Sequence, residues 1–271
     1  MRQEHAYERF NIHHRLQHMM MFSSFILLTV TGLPIKYSEA GWAAVITGLF
    51  GGFDRMFTAH LIGASVMIAS AVYHVVYLIL SALRGQLSAA MFPTPGDVRD
   101  LLENVAYHLG LRQSRAQYDR YSYKEKFDYW AVFWGMAIMV GSGLMMWFPD
   151  WATRCFPRWV IDASRFAHSD EAMLAILAIF VWHFYNVHVN PDCFPINTVW
   201  LTGRMSAGLM EHEHPRELAR CRDRLLPSSG VIAPAASGRF NGSRRLVIVQ
   251  MVAYAAALAW FLWVFLPVGL K

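Results

Sequence analysis

Two apolar stretches of this sequence each carry a pair of histidines at nearly the same spacing. His60 and His74 lie 14 residues apart, and His168 and His183 lie 15 residues apart. Imidazole is a common metal ligand, and ionisable side chains inside a membrane are costly enough to indicate function. In an α-helix a 14-residue step rises ~21 Å and turns ~1400°, about 40° short of four full turns. The spacing therefore predicts two helices that each present one imidazole near either membrane face.

Two such helices facing each other would hold two haems, because haem iron accepts neutral imidazole from opposite sides. His60 and His168 lie near the same end of their stretches and form one natural pair. At the other end His183 has two possible partners, His18 or His74, and the sequence alone leaves both open, as it leaves open a third haem. The 15-residue spacing is ~60° past four turns, so the fourth helix needs a slight rotation or a bulge.

The distribution of apolar residues predicts a membrane protein. Of 271 residues 55% are hydrophobic, and they gather into stretches long enough to cross a bilayer, which takes about 20 residues each. These stretches are 16–35, 56–83, 127–148, 166–189 and 246–268. We therefore predict an all-α integral membrane helical bundle of about five transmembrane helices with a four-helix haem-binding core. The predicted parts are a core at 1–190, an inner polar segment at 191–245 and a fifth transmembrane helix at 246–271.

The charge distribution predicts the orientation of the bundle. With the N-terminus inside, the inner segments hold 18 Lys and Arg residues and the outer segments hold 6. This asymmetry follows the positive-inside rule, so the net charge of +5 indicates orientation and contact with membrane lipid rather than binding of nucleic acid. We expect a multi-pass membrane protein with a cytoplasmic N-terminus. We also expect no cleavable signal peptide, because Gly32-Leu33-Pro34 after the first stretch does not fit a cleavage site.

Several short motifs in residues 8–190 resemble those of one known family. They are Arg9-Phe10, Arg15, His18 and Thr31-Gly32-Leu33; Arg55 to His60; Arg120 to Lys126 with Trp130; Gly143-Leu144 with Trp147; and His168-Ser169 with His183-Phe184-Tyr185. Together they resemble the membrane b-type cytochrome subunits of bacterial formate dehydrogenases, Ni-Fe hydrogenases and thiosulfate reductases, within the cytochrome b561-like superfamily. The resemblance implies haem b, ligated by His60 with His168 and by His18 with His183. His74 departs from this pattern and is more similar to the two-ligand helix of cytochrome bc complexes.

The resemblance also implies a menaquinone or ubiquinone site near the inner haem. Our candidate quinone-site residues lie near the inner ends of the third and fourth spans: His188, Tyr185, Ser122, Lys124, Lys126 and Asp128. The leading hypothesis is a di-haem subunit that carries electrons between quinone and an outer-side redox subunit, either an iron-sulfur protein or a multihaem cytochrome c. The alternatives are a stand-alone transmembrane reductase and a non-redox membrane anchor.

Overall fold

Four long apolar helices dominate the computed structural model, which describes residues 6–190, 193–194 and 196–225. Within those residues the helices able to span a membrane are α1 (Ile12–Lys36), α3 (Phe53–Leu83), α5 (Tyr123–Trp147) and α7 with its extension (Arg158–Val189). Each begins a few residues before the predicted stretch. The chain is thus an all-α membrane helical bundle, as predicted. The predicted fifth span, at 246–268, lies outside the described residues.

Shorter elements connect and follow the spans. They are α2 (Gly41–Leu49), a 3-10 turn (Ala89–Met91), α4 (Pro95–His108), α6 (Pro149–Cys155), α8 (Val199–Thr202), α9 (Ala207–Glu213) and α10 (Pro215–Leu225). Two short strands, β1 (Ala6–Glu8) and β2 (Arg204–Ser206), pair antiparallel with Tyr7 opposite Met205. Two compact units contain these elements, one made of residues 11–97 and 123–176 and the other of the remaining described residues.

In the unit of residues 11–97 and 123–176, α1 packs along α3, and α3 also contacts α5. The side chain of Asn11 begins α1 by accepting a hydrogen bond from the backbone N–H of His14 at 2.9 Å. At the other end of α1, Lys36 donates hydrogen bonds to Ser169 and, at 3.2 Å, to Asp170 of α7. The C-terminal end of α1 therefore lies beside the turn of α7 that carries His168.

The last part of the fourth span is wound as a π-helix. Regular α-helix ends at Leu177, and π-type hydrogen bonding follows over Ala178–His183 and Tyr185–Val189. A π-turn closes its hydrogen bond over five residues instead of four and so accommodates one additional residue. A bulge is one of the two adjustments that the 15-residue histidine spacing predicts, and the first π-helical segment, which ends at His183, contains one.

The second unit joins the N-terminal strand to two distant segments through a buried ion-pair cluster. Arg9, which is 3% exposed, donates to Glu217 and, at 2.7 Å, to the backbone oxygen of Arg120. Arg120 donates to the same Glu217 carboxylate at 2.6 Å. Burial by itself would lower the pKa of Arg120, but the hydrogen bond to Glu217, the charge of Glu217 and the neighbouring Tyr121 together raise it overall. Val199, Met205 and Met210 belong to the small core beside this cluster.

Candidate functional site

The imidazole of His60 on α3 is held by a buried hydroxyl of α1. Its Nδ1 lies 2.9 Å from Oγ1 of Thr31, a residue with no exposed surface. The Thr31 hydroxyl donates its own proton to the backbone oxygen of Leu27 at 2.7 Å. Because a hydroxyl has one proton, its oxygen must accept from Nδ1–H of His60. This assigns His60 the neutral tautomer in which Nε2 keeps its lone pair, the form that binds a metal.

His168 on α7 has the same arrangement with a serine of α5. Its Nδ1 lies 3.1 Å from Oγ of the buried Ser142. The Ser142 hydroxyl donates to the backbone oxygen of Ile138 at 2.6 Å, so it too accepts from the imidazole. The structure thus gives both histidines the same tautomer through unrelated hydroxyl groups.

A glycine follows each of the two hydroxyl residues and gives the imidazole its space. A Cβ added at Gly32 would lie 3.2 Å from Cε1 of His60, and a Cβ added at Gly143 would lie 3.2 Å from Cε1 of His168. Any larger residue would therefore press on the imidazole. The sequence pattern hydroxyl-Gly-Leu occurs at both places, in Thr31-Gly32-Leu33 and in Ser142-Gly143-Leu144. One local device is thus used twice, and each copy orients one histidine.

His60 and His168 lie at the same end of the helices that carry them. His60 binds Thr31 near the C-terminal end of α1, and the neighbours of His168 on α7 bind Lys36 at that end. Phe57, one turn before His60, lies parallel to its ring with the centroids 6.5 Å apart. An apolar, aromatic setting of this kind suits a porphyrin.

His74 has a different environment, because the protein binds both of its nitrogens. Nδ1 lies 2.9 Å from Oε1 of Gln17 on α1, and Nε2 lies 2.9 Å from the hydroxyl of Tyr129 on α5. Since Gln17 Oε1 is an acceptor, His74 donates through Nδ1, and Tyr129 donates to Nε2. His74 therefore connects three spans by hydrogen bonds and offers no lone pair outward in this arrangement.

The other predicted ligands and two of the quinone candidates lie elsewhere on the spans. His18 lies in the second turn of α1 with its ring 6.1 Å from that of Phe22. His183 lies in the π-helical segment. In that segment too, His188 lies edge-on to Phe184 at 5.0 Å, and its buried Nδ1 has no hydrogen-bond partner within the described part of the chain. Tyr185 is 45% exposed.

The remaining quinone candidates lie at the start of α5. Lys126 is buried and donates to both oxygens of Asp97, at 2.8 and 2.9 Å. Burial by itself would raise the pKa of Asp97, but hydrogen bonds from Lys126 and Thr94 lower it overall. Ser122 is buried just before α5, and Lys124 and Asp128 are half-buried in its first two turns. Lys126 is thus already committed to an ion pair that sequence reasoning missed.

Sequence reasoning also missed an acidic side chain beside His168. Glu171, one turn further along α7, points at α5, where its Oε1 lies 2.7 Å from the position of a Cβ at Gly135. A carboxyl group in the middle of an apolar stretch is the signal that could have found it.

Several apolar spans, with two histidines fixed through Nδ1 in an aromatic setting, define a membrane protein suited to binding a metal-centred cofactor between its helices. The chain belongs to the prokaryotic cytochrome b561 family, whose family model matches residues 6–193. It is therefore a multi-pass membrane b-type cytochrome, and its family implies the binding of haem b. The resemblance of its sequence to the cytochrome b561-like superfamily is confirmed. No curated protein matches the chain.

Proposed function

We propose that this cytochrome is the quinone-reactive, di-haem membrane subunit of a respiratory oxidoreductase in a bacterial cytoplasmic membrane. The chain would carry electrons between the quinone pool and an outer-side subunit with its own iron-sulfur or multihaem cytochrome c centres. The observation that carries the proposal is the matched pair of hydroxyl-imidazole contacts at His60 and His168. Two imidazoles from different helices, each with Nδ1 bound so that Nε2 is left to bind a metal, are what a bis-histidine site requires.

His60 and His168 are the proposed ligands of the outer haem. Both have the tautomer that leaves Nε2 as the metal-binding atom, and Gly32 and Gly143 let their rings lie close against α1 and α5. The residues present therefore fit the group that the family implies. When bound, haem b would supply reversible one-electron transfer.

For the inner haem we propose His18 with His183 and assign His74 a structural role. The family resemblance supports His18, and the two hydrogen bonds of His74, to Gln17 and Tyr129, support excluding it. The π-helical segment supports His183, because one additional residue in a π-turn makes a 15-residue spacing equivalent to 14 residues of α-helix. The fourth span would then have the same histidine register as α3.

For the quinone, either menaquinone or ubiquinone, we propose His188 as the first residue to test. A buried imidazole nitrogen without a described partner is suited to hydrogen-bond a quinone oxygen. Lys126 is a weaker candidate as a direct contact, because its ammonium group is already bound by Asp97. We propose that this ion pair fixes the start of α5, which also carries Lys124 and Asp128.

The test is the haem content of the purified protein, measured as pyridine haemochrome with a reduced-minus-oxidised spectrum. We expect two b haems per chain in the wild type, two in His74→Ala and one in His18→Ala. One haem in His74→Ala and two in His18→Ala would overturn the inner-ligand assignment. Three haems in the wild type would make both histidines ligands.

The same preparation separates the proposed function from its alternatives. Folded protein without haem would leave a membrane anchor and overturn the proposal. Haem-containing protein that reduces an outer acceptor from quinol without any partner would indicate a stand-alone reductase. Quinol oxidation that requires a co-purifying redox subunit is the expected result.

A further inference from the structure

Helix α4 exposes an apolar face and buries polar side chains, which is the opposite of a helix on a water-soluble surface. Val98, Leu102 and Leu109 are each at least 60% exposed, and Leu101 and Val105 are exposed on the same side. These positions follow the three- and four-residue spacing of one helical face. A contiguous exposed apolar face of this kind indicates a binding surface rather than contact with water.

The polar side of α4 faces the protein instead. Asp100 and Asn104 are both buried. Asn104 donates to the hydroxyl of Tyr118, and its side-chain oxygen accepts from the backbone N–H of Ala116 at 3.0 Å. The stretch after α4 therefore folds back over its polar side and satisfies the side chain of Asn104. What remains outside is the apolar side, flanked by the exposed Arg99 and His108.

Contacts at the beginning of α4 place that end at membrane level. The Asp97 carboxylate caps the first turn by accepting from the backbone N–H of Thr94 at 2.6 Å and from its hydroxyl at 2.8 Å. The same carboxylate binds Lys126, in the first turn of the span α5. Just before α4, the backbone oxygen of Met91 accepts from Trp130, two turns into α5, at 3.0 Å.

The depth of those contacts follows from helix geometry. α5 has 25 residues and is about 37 Å long, while the hydrocarbon core of a bilayer is about 30 Å thick. The ends of α5 therefore extend only about 4 Å beyond the core on each side, if it is centred. Lys126 then lies at the boundary between headgroups and acyl chains, and Trp130 lies inside the core. The chain enters α4 from within the membrane boundary.

We propose that α4 is an interfacial helix whose apolar face, formed by Val98, Leu101, Leu102, Val105 and Leu109, lies against the acyl chains of one membrane leaflet. The ligand is the lipid itself, taken up through apolar contact and not through a charged headgroup. The exposed apolar face of α4 requires an apolar partner. Because the first turn of α4 is attached to the membrane span α5, the partner within reach is the acyl-chain region of the membrane. This inference is independent of haem and quinone binding.

The experiment uses the full-length wild-type protein in lipid nanodiscs that contain a phospholipid with a photoactivated diazirine in its acyl chain. After irradiation, mass spectrometry maps the lipid adducts. We expect adducts on Leu102 and Leu109, together with adducts on the exposed faces of α3 and α5 as internal positive controls. The polar stretch after Gly110, which includes the exposed Gln113, should carry no lipid adducts.

A second measurement gives a rate. Leu102→Cys and Gln113→Cys variants in nanodiscs are treated with a membrane-impermeant charged maleimide, and each site is followed by its own peptide. We expect alkylation at position 102 to be at least about tenfold slower than at 113, because an apolar environment disfavours the thiolate. Equal rates, or labelled spans without adducts on α4, would overturn the proposal. Slow alkylation without lipid adducts would mean that a protein segment covers this face.

Discussion

His60 and His74 lie on the same helix, α3, yet their imidazoles have opposite hydrogen-bonding environments. In the described part of the chain His60 is bound only through Nδ1, by Thr31, whereas His74 is bound at both nitrogens, by Gln17 and Tyr129. His168, on another helix, repeats the arrangement of His60 with Ser142. Spacing along the sequence cannot distinguish a histidine ligand from a histidine that only connects helices. The number of imidazole nitrogens that the protein already binds distinguishes them, because a metal ligand needs one free lone pair.

The comparison also separates two kinds of polar partner in a membrane core. At His60 and His168 the partner is a short hydroxyl group whose proton is already given to its own helix, so it can only accept. At His74 the partners are an amide and a phenol, one accepting and one donating. The first arrangement leaves the second nitrogen of the imidazole to bind a ligand. The second arrangement uses both nitrogens of the imidazole and connects neighbouring helices by hydrogen bonds.

The largest expected effect is a loss of haem, and it should differ between the two ends of α3. His60→Ala should reduce the haem content from two per chain to one, and so should His168→Ala, because a bis-histidine site needs both ligands. His74→Ala is the matched control from the same helix and should keep both haems. Pyridine haemochrome per chain measures each case. Equal haem loss in all three variants would show that His74 does not differ from His60 and His168 in haem binding.

A subtler change should act on one haem without removing it. Thr31→Val keeps the shape of the side chain but deletes the acceptor of His60 Nδ1–H. Loss of that hydrogen bond makes the imidazole a poorer donor, so the midpoint potential of one haem should rise and its affinity should fall by about 10- to 100-fold. Redox titration with haem quantification measures both quantities.

Ser24→Ala is the matched control for Thr31→Val. Ser24 is buried in the same helix and donates to the backbone oxygen of Met20 at 2.7 Å, and within the described residues its side chain hydrogen-bonds to no imidazole. It should leave both potentials unchanged. A shift in Ser24→Ala as large as that in Thr31→Val would indicate general disturbance of α1 rather than loss of the Thr31-His60 bond.

A smaller effect is expected at the fully bound imidazole. Tyr129→Phe removes the donor to His74 Nε2 and should lower the free energy of unfolding by about 0.6 kcal/mol, and by no more than about 1.7 kcal/mol, as for other interhelical hydrogen bonds in membranes. Haem content and both potentials should stay at wild-type values. A changed haem spectrum in this variant would instead connect His74 to a haem.

The smallest effect is expected from acid, as a loss of stability at the Asp97-Lys126 ion pair. Lys126 lies in the first turn of α5, the helix that also carries Tyr129, the partner of His74. The pKa of Asp97 is lowered in the folded protein, so the Asp97-Lys126 pair stabilises the fold above the carboxyl group's unfolded pKa of about 3.9. That contribution is lost as the pH falls below about 4 and through the lower folded value. Thermal unfolding across this range should show it in the wild type. In Asp97→Asn this component of the acid dependence should be absent.

Much of the fold was predictable because a membrane imposes a simple rule on sequence. Backbone groups in lipid must bond within their own helix, so an uninterrupted apolar stretch indicates a span, as 56–83 did for Phe53–Leu83. The 15-residue interval between His168 and His183 also indicated a distortion, which the structure has as π-helix. The histidine pairing itself stays a prediction.

What the sequence did not reveal were partners distant along the chain. Thr31 and His60 are 29 residues apart, and Ser142 and His168 are 26 apart, so their contacts depend on which helix faces meet. The recurrence of a hydroxyl residue, glycine and leucine before each histidine-bearing span was the available signal. The ion pair of Asp97 with Lys126 gave no such signal, because an aspartate in the first turn of a helix is already explained by capping that turn.

The π-helical end of the fourth span has a consequence for how this chain tolerates changes of length. Removing one residue from a membrane helix normally rotates everything beyond it by about 100° and turns a lipid-facing surface inward. A π-turn already contains a surplus residue, so deleting one position between Ala178 and His183 would let this stretch relax to ordinary α-helix. The same stretch thus gives the span a place where its length can vary by one residue without regular helical geometry being broken.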